Sequence, residues 1–214
     1  MKEKIDKLVD EAIKIMAKSG DLLHDEGHVK RMLEDWNKLS QELKEDVNCD
    51  AVVLAICWHD TWLASHSLKG FWGMIREYVR EGQGSAKMFR KAAKGVGLDD
   101  NLTGLVADAI KNHPSLPGNK QKTIEAKILW DVDNLETWSY LRLAKMIKKI
   151  GGTIDKSEAK QIKAAKTYWD LIMKKRVASR LYFDWCKKEF SKRKKEFVKK
   201  IKILELRYGK LELV

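Results

Sequence analysis

The longest apolar run of the chain, Ala51–Trp58 (AVVLAICW), carries an apolar residue at every position. A helix that is apolar all round has to be enclosed by other elements, and this run is far shorter than the roughly 20 residues that cross a bilayer. The rest of the chain must therefore supply helices or sheets to surround it. Two prolines and 13 glycines in 214 residues argue against a turn-rich β architecture. Eight tryptophans call for a packed interior rather than a solvated polyelectrolyte.

Helical periodicity supplies the surrounding elements. Ile5, Leu8, Val9, Ala12, Ile13 and Met16 recur at helical spacing before Gly20. Val29, Met32, Leu33, Trp36 and Leu39 predict a second helix over about 26–43, and Asp50 is placed to cap the apolar third. Gly82, Gly84, Gly95 and Gly97 predict short helices near 70–80, 85–94 and 99–112, and HPSLPGNKQ reads as a loop. A helical pattern returns over 123–150 with a bend near 134–139 and an interruption at Gly151–Gly152, then again from Ser157 to about Lys175 and from Ser179 to about Arg207. The fold class expected is all-α. A core is expected over residues 1–152, with a basic helical extension over 153–214 packed on it.

The net charge of +12 is not spread evenly. Residues 1–137 hold 20 Lys and Arg against 23 Asp and Glu, and residues 138–214 hold 23 against 8. Three cysteines with no CxxC spacing indicate neither a disulfide framework nor a cysteine zinc site and fit a reducing cytoplasm. The N-terminus alternates charge with apolar residues and lacks a secretory h-region.

Five histidines carry the chemical information: His24, His28, His59, His66 and His113. His24 and His28 are one helical turn apart, and Arg31 follows on the same side. His59 and Asp60 end the most apolar helix, where an unpartnered imidazole and carboxylate would each be costly. A divalent cation is a natural partner for both, because imidazole nitrogen and carboxylate oxygen ligate Mn, Fe, Co, Ni, Zn or Mg. Asp131 and Asp133 form a further acidic pair in ILWDVDNLE. They point about 200° apart if that segment is helical.

The order HDEGHVKRM, WHD, IKNH, WDVDNLE resembles that of the HD-domain superfamily of metal-dependent phosphohydrolases, over roughly residues 20–137. The resemblance implies an HD-domain helical bundle with additional C-terminal helices. It implies metal ligation by His28, His59, Asp60 and Asp131, with Asp133 the lesser candidate, and a substrate-side or second-metal role for His113. Asp60 and His113 are then the catalytic candidates, and His24, Asp25 and Arg31 the substrate-binding ones. Each has a plainer reading: a helix N-cap for His24 and Asp25, an ion pair for Arg31, a capping histidine for His113. The acidic residue or lysine that some members carry three positions after the doublet is replaced here by Leu63.

The activity implied is hydrolysis of a small phosphate ester or phosphoanhydride, most simply a nucleotide. The competing expectation is a catalytically weak HD scaffold that binds nucleic acid or a protein partner through its basic C-terminal helices. Between Cys186 and Lys202 the chain has 9 Lys and Arg against 2 Glu, and such a segment is either a solvated helix face or a surface for nucleic acid or acidic membrane. Trp58, Trp62 and Trp130 are expected as core walls rather than base-stacking platforms.

Overall fold

The computed structural model describes residues 1–21, 23–43, 46–66, 70–114, 119–137, 142, 145 and 181–208. Its elements are α1 (Lys2–Ala17), α2 (Glu26–Ser40), α3 (Cys49–Trp58), α4 (Thr61–Ser65), α5 (Gly70–Val96), α6 (Asp100–Asn112), α7 (Ile124–Thr137) and α8 (Asp184–Tyr208). There is no strand among the described residues. The chain divides into two compact units, Met1–Val132 and Asp133–Val214. The boundary expected at residue 152 and the helix expected over 157–175 lie outside the described residues, as do Tyr168, Trp169, Leu171 and Ile172.

In the first unit α3 is the central element, packed against α1, α2, α5 and α6. Every residue from Ala51 to Trp58 is buried except half-buried Val53, as the apolar run demands. Trp58 donates its indole N–H to the Leu8 carbonyl (3.0 Å) and meets Phe89 edge-on at 5.7 Å, so it is a core wall with its one polar atom satisfied. Leu8, Met16, Met32, Leu39, Leu54, Ile56, Ile110, Ile128 and Leu129 complete the interior. Burying each such side chain contributes about 1.5–3 kcal/mol.

The helix ends follow local chemistry. Asn48, rather than Asp50, caps α3 by accepting from the Ala51 N–H at 3.0 Å. Asp50 already lies within the first turn, where its charge favours the helix dipole. Asp25 caps α2 and Asp99 caps α6 in the same way. Glu125 of α7 accepts from the Asn48 N–H at 3.2 Å and so ties the start of α3 to α7.

The region expected to be broken at its glycines is one 27-residue helix, α5. Gly82 and Gly84 are not breaks but contact points. A Cβ at Gly84 would overlap the Trp62 indole, and one at Gly82 would lie 2.5 Å from the Lys111 carbonyl and 2.9 Å from Pro114. Helical glycine costs about 1 kcal/mol, and here close packing of α4 and of the end of α6 on α5 offsets it. The true stop is Gly97, with φ +63° and the paired bonds Leu98 N–H to Ala93 and Gly97 N–H to Lys94 that close a Schellman motif.

In the second unit, α8 begins later than the sequence predicts and buries Cys186 and Phe190. Arg193 donates to the Leu135 carbonyl at 3.1 Å, and Arg142 pairs with the fully buried Glu136 at 2.8 Å. The side chains of Phe197, Ile201 and Leu204, expected to continue the apolar stripe of α8, lie outside the described residues.

Candidate metal centre

Four helix ends, of α2, α3, α4 and α6, and the middle of α5 meet at one point in the first unit. His28 enters from the first turn of α2, where the Asp25 carboxylate accepts its backbone N–H at 3.0 Å. His59 terminates α3, and Asp60 follows as the residue that starts α4, so the doublet occupies a junction with no intervening loop. Thr61 secures that junction by donating its hydroxyl to the Trp58 carbonyl at 2.9 Å. His113 terminates α6, and Pro114 after it cannot extend the helix.

The imidazoles are oriented by backbone. His59 Nδ1 is 2.8 Å from the Ile56 carbonyl and His113 Nδ1 is 2.7 Å from the Ile110 carbonyl. A carbonyl oxygen only accepts, so both Nδ1 atoms carry a proton and turn Nε2 toward the cluster, where it is free to ligate in the neutral ring and to donate in the protonated one. His59 Nε2 lies 3.2 Å from His28 Nε2 and 3.0 Å from Asp60 Oδ2, and His28 Nε2 is 3.4 Å from the same oxygen. The other carboxylate oxygen, Asp60 Oδ1, is 3.5 Å from His113 Nε2. Asp60 thus turns one oxygen to His28 and His59 and the other to His113.

These spacings suit a cation. Two ligand atoms held at about 2.1 Å from one ion, 90–109° apart, are separated by about 3.0–3.4 Å. His59, Asp60 and His113 are all buried and offer ligand atoms within 4.8 Å of one another. Two ring nitrogens facing each other at 3.2 Å, as in His28 and His59, need either a proton or a shared cation between them. Imidazole nitrogen with carboxylate oxygen is the donor chemistry of a divalent transition ion.

Glu81, on α5, is the neighbour that sequence reasoning missed. It is buried, its Oε1 is 3.5 Å from His113 Nε2, and the Asp60 charge acts on it. Read as loop in REGQGS, it had no reason to face a site. Only a helix that runs on past residue 80 puts Glu77 and Glu81 one turn apart on the same face. Glu77 accepts from the Trp62 indole at 3.0 Å and from Arg76 at 2.7 Å, which fixes α4 against α5 beside the doublet.

The charges interlock. Burial by itself would raise the Asp60 carboxyl, but the His59 and His24 charges and hydrogen bonds from His113 and His28 hold it well below the usual range. Burial pushes Glu81 up to about 8, with the Asp60 charge acting the same way against the lowering effect of His113. For His113 burial favours the neutral ring, and hydrogen bonds and charge from Asp60 and Glu81 outweigh it, raising the imidazole well above its ordinary value.

The remaining expected residues are placed as follows. His24 is buried just before α2, bonded to Asp21 at 2.9 Å and edge-on to His28 and Tyr78. Asp25 is the N-cap of α2, the plainer of its two readings. Arg31 is half-buried one turn beyond His28. Asp131 is completely buried on α7, and Asp133 is half-buried on a different side of that helix. His66 is exposed and stacks on Trp62 at 3.6 Å, apart from the cluster.

No known family model matches the chain, and no curated protein does. Among solved structures, the Lin1889 protein from Listeria innocua aligns with 94% of this chain and 95% of its own, with a TM-score of 0.61 and 18% identity, a likeness of fold.

Proposed function

We propose that this chain is a metal-dependent phosphohydrolase of the HD type, acting on a small phosphate ester or phosphoanhydride, most simply a nucleotide, in a reducing cytoplasmic setting. The observation that carries the reading is the convergence of His28, His59 and His113 Nε2 on the two oxygens of Asp60, at 3.0–3.5 Å in a buried setting. His28, His59 and Asp60 are assigned as metal ligands together with Asp131 of α7, with Asp133 the alternative carboxylate. A divalent cation there would activate water and neutralise charge on a phosphoryl group.

The chain's own groups supply the rest. The Ile56 carbonyl fixes the His59 tautomer, and Asp60 stays ionised to bind and orient. His113 Nε2 holds a proton between Asp60 and Glu81, where it can be passed to a leaving oxygen. Arg31, His24 and Asp25 are assigned to the substrate side, Arg31 to its phosphate.

Chelator-treated protein should release phosphate from a panel of nucleoside phosphates and simple monoesters only after Mn or Co is restored. His59→Ala should lose both metal content and activity. No bound metal by elemental analysis, together with no phosphate release from any substrate, would overturn the reading.

A further inference from the structure

α8 sorts its charges by face. Glu189 and Glu196 are seven residues apart and share one line of the helix, and the neighbouring Lys192 and Arg193 pair with Glu189 at 3.8 and 2.9 Å. Roughly 150° round the axis runs the row Ser191, Val198, Lys202. That row and the lysines flanking it line a cleft of about 870 Å³ that includes Lys187, Lys194, Lys195 and Lys199. Lys187 pairs with Asp184 at the helix start. Among the described residues, Lys194, Lys195, Lys199 and Lys202 make no ion pair.

Four lysines without an ion pair on one side of one helix repel one another and attract anions, and Glu196, which borders Lys187, Ser191 and Lys195, is the acid at the edge of that side. From Lys187 to Lys202 the row rises about 22 Å at 1.5 Å per residue, the length of six or seven base steps at about 3.4 Å each. The cleft also holds Leu181, Phe190, Val198 and Ile203 beneath the lysines, a narrow apolar floor rather than the broad apolar side that inserts into lipid. Phe190 lies buried at the bottom of that cleft, and Val198 and Ile203, 44% and 54% exposed, are the only large apolar side chains of α8 exposed among the described residues. An interfacial helix instead needs a bulky apolar side.

We propose that this lysine face of α8 binds the phosphate backbone of a nucleic-acid duplex without reading its sequence. Lys194, Lys195, Lys199 and Lys202 are the contacting residues, and Ser191 and Val198 form the floor between them. The phosphohydrolase reading neither requires nor supplies this surface.

The test is fluorescence anisotropy of the full chain with a labelled 20-base-pair duplex across a salt series. Four neutralised phosphates give a slope of about −3.6 in log affinity against log salt, a fall of roughly 150-fold between about 50 and 200 mM. The variant K194Q/K195Q/K199Q/K202Q, with helical content checked by circular dichroism, should lose at least about 100-fold at 50 mM salt and most of that slope. A charge-matched control, K14Q/K18Q/K91Q/K94Q, should retain both. No duplex binding at 50 mM salt, equal losses in variant and control, or binding confined to phosphatidylserine vesicles would each overturn the proposal.

Discussion

Asp60 serves two partners at once, and that makes it the most informative residue to change. In Asp60→Asn the orienting charge disappears from between His28, His59 and His113, while the amide keeps the shape of the α3–α4 junction. The expected result is loss of metal binding by more than 100-fold in calorimetry with unchanged helical content, since the ligand itself is removed. Glu81→Gln should weaken metal binding less, by about 10–100-fold, because Glu81 acts through His113 and Asp60. Wild-type affinity in both variants would remove the cluster from consideration as a metal centre. Asp131→Asn and Asp133→Asn, measured side by side, test whether α7 contributes a carboxylate, and unchanged metal affinity in both would remove α7 from the proposed ligand set. The histidines and the His59–Asp60 doublet were legible from the sequence because residues of that polarity beside an apolar run need a partner. Glu81 was not, because its bearing on the site depends on a helix that its glycines conceal.

The elements show where local rules gave way to packing. Gly84 and Gly95 lie on the same helix and differ only in what a methyl group would meet: the Trp62 indole at one, open space at the other. Gly84→Ala is expected to cost about 1–3 kcal/mol through overpacking, and Gly95→Ala to stabilise by about 0.5–1 kcal/mol through lower unfolded-state entropy. Chemical denaturation of both settles it, and opposite signs are the result to look for. Capping offers a second comparison. Asn48→Ala should cost about 1 kcal/mol, whereas Asp50→Ala removes only a first-turn charge and should cost a few tenths. Equal effects would return the cap to Asp50.

At the scale of the whole molecule, the buried charges couple stability to pH and to metal. Glu81 titrates near 8 in the folded chain against an ordinary 4.5, so the folded state keeps a proton that the unfolded chain has released. Stability therefore falls as pH rises through that window. His113, raised well above 6.5, adds stability in full below that value and loses it as pH climbs through the folded value. Asp60, depressed, contributes above 3.8 and loses its contribution only on acidification. Chelated protein should accordingly lower its Tm between about pH 6 and 8.5. A cation beside them disfavours the protonated forms of His113 and Glu81, so its stabilisation, about 2.7 kcal/mol at 100-fold excess over Kd, should grow over that range. Differential scanning calorimetry with and without Mn should show the gap in Tm widening with pH, and a constant gap would detach His113 and Glu81 from the bound ion.

The all-helical class, the enclosure of Ala51–Trp58, the N-cap at Asp25 and the need of the His59–Asp60 doublet for a partner are written in local pattern, because periodicity, capping chemistry and the cost of burying polar groups act over a few residues. The continuity of α5, the choice of Asn48 over Asp50 as cap and the inward turn of Glu81 were decided by tertiary structure. Each depends on what a distant segment places within a few ångströms: Trp62 and Pro114 against the glycines, Glu125 beside Asn48, His113 beside Glu81. No window of sequence contains both members of such a pair.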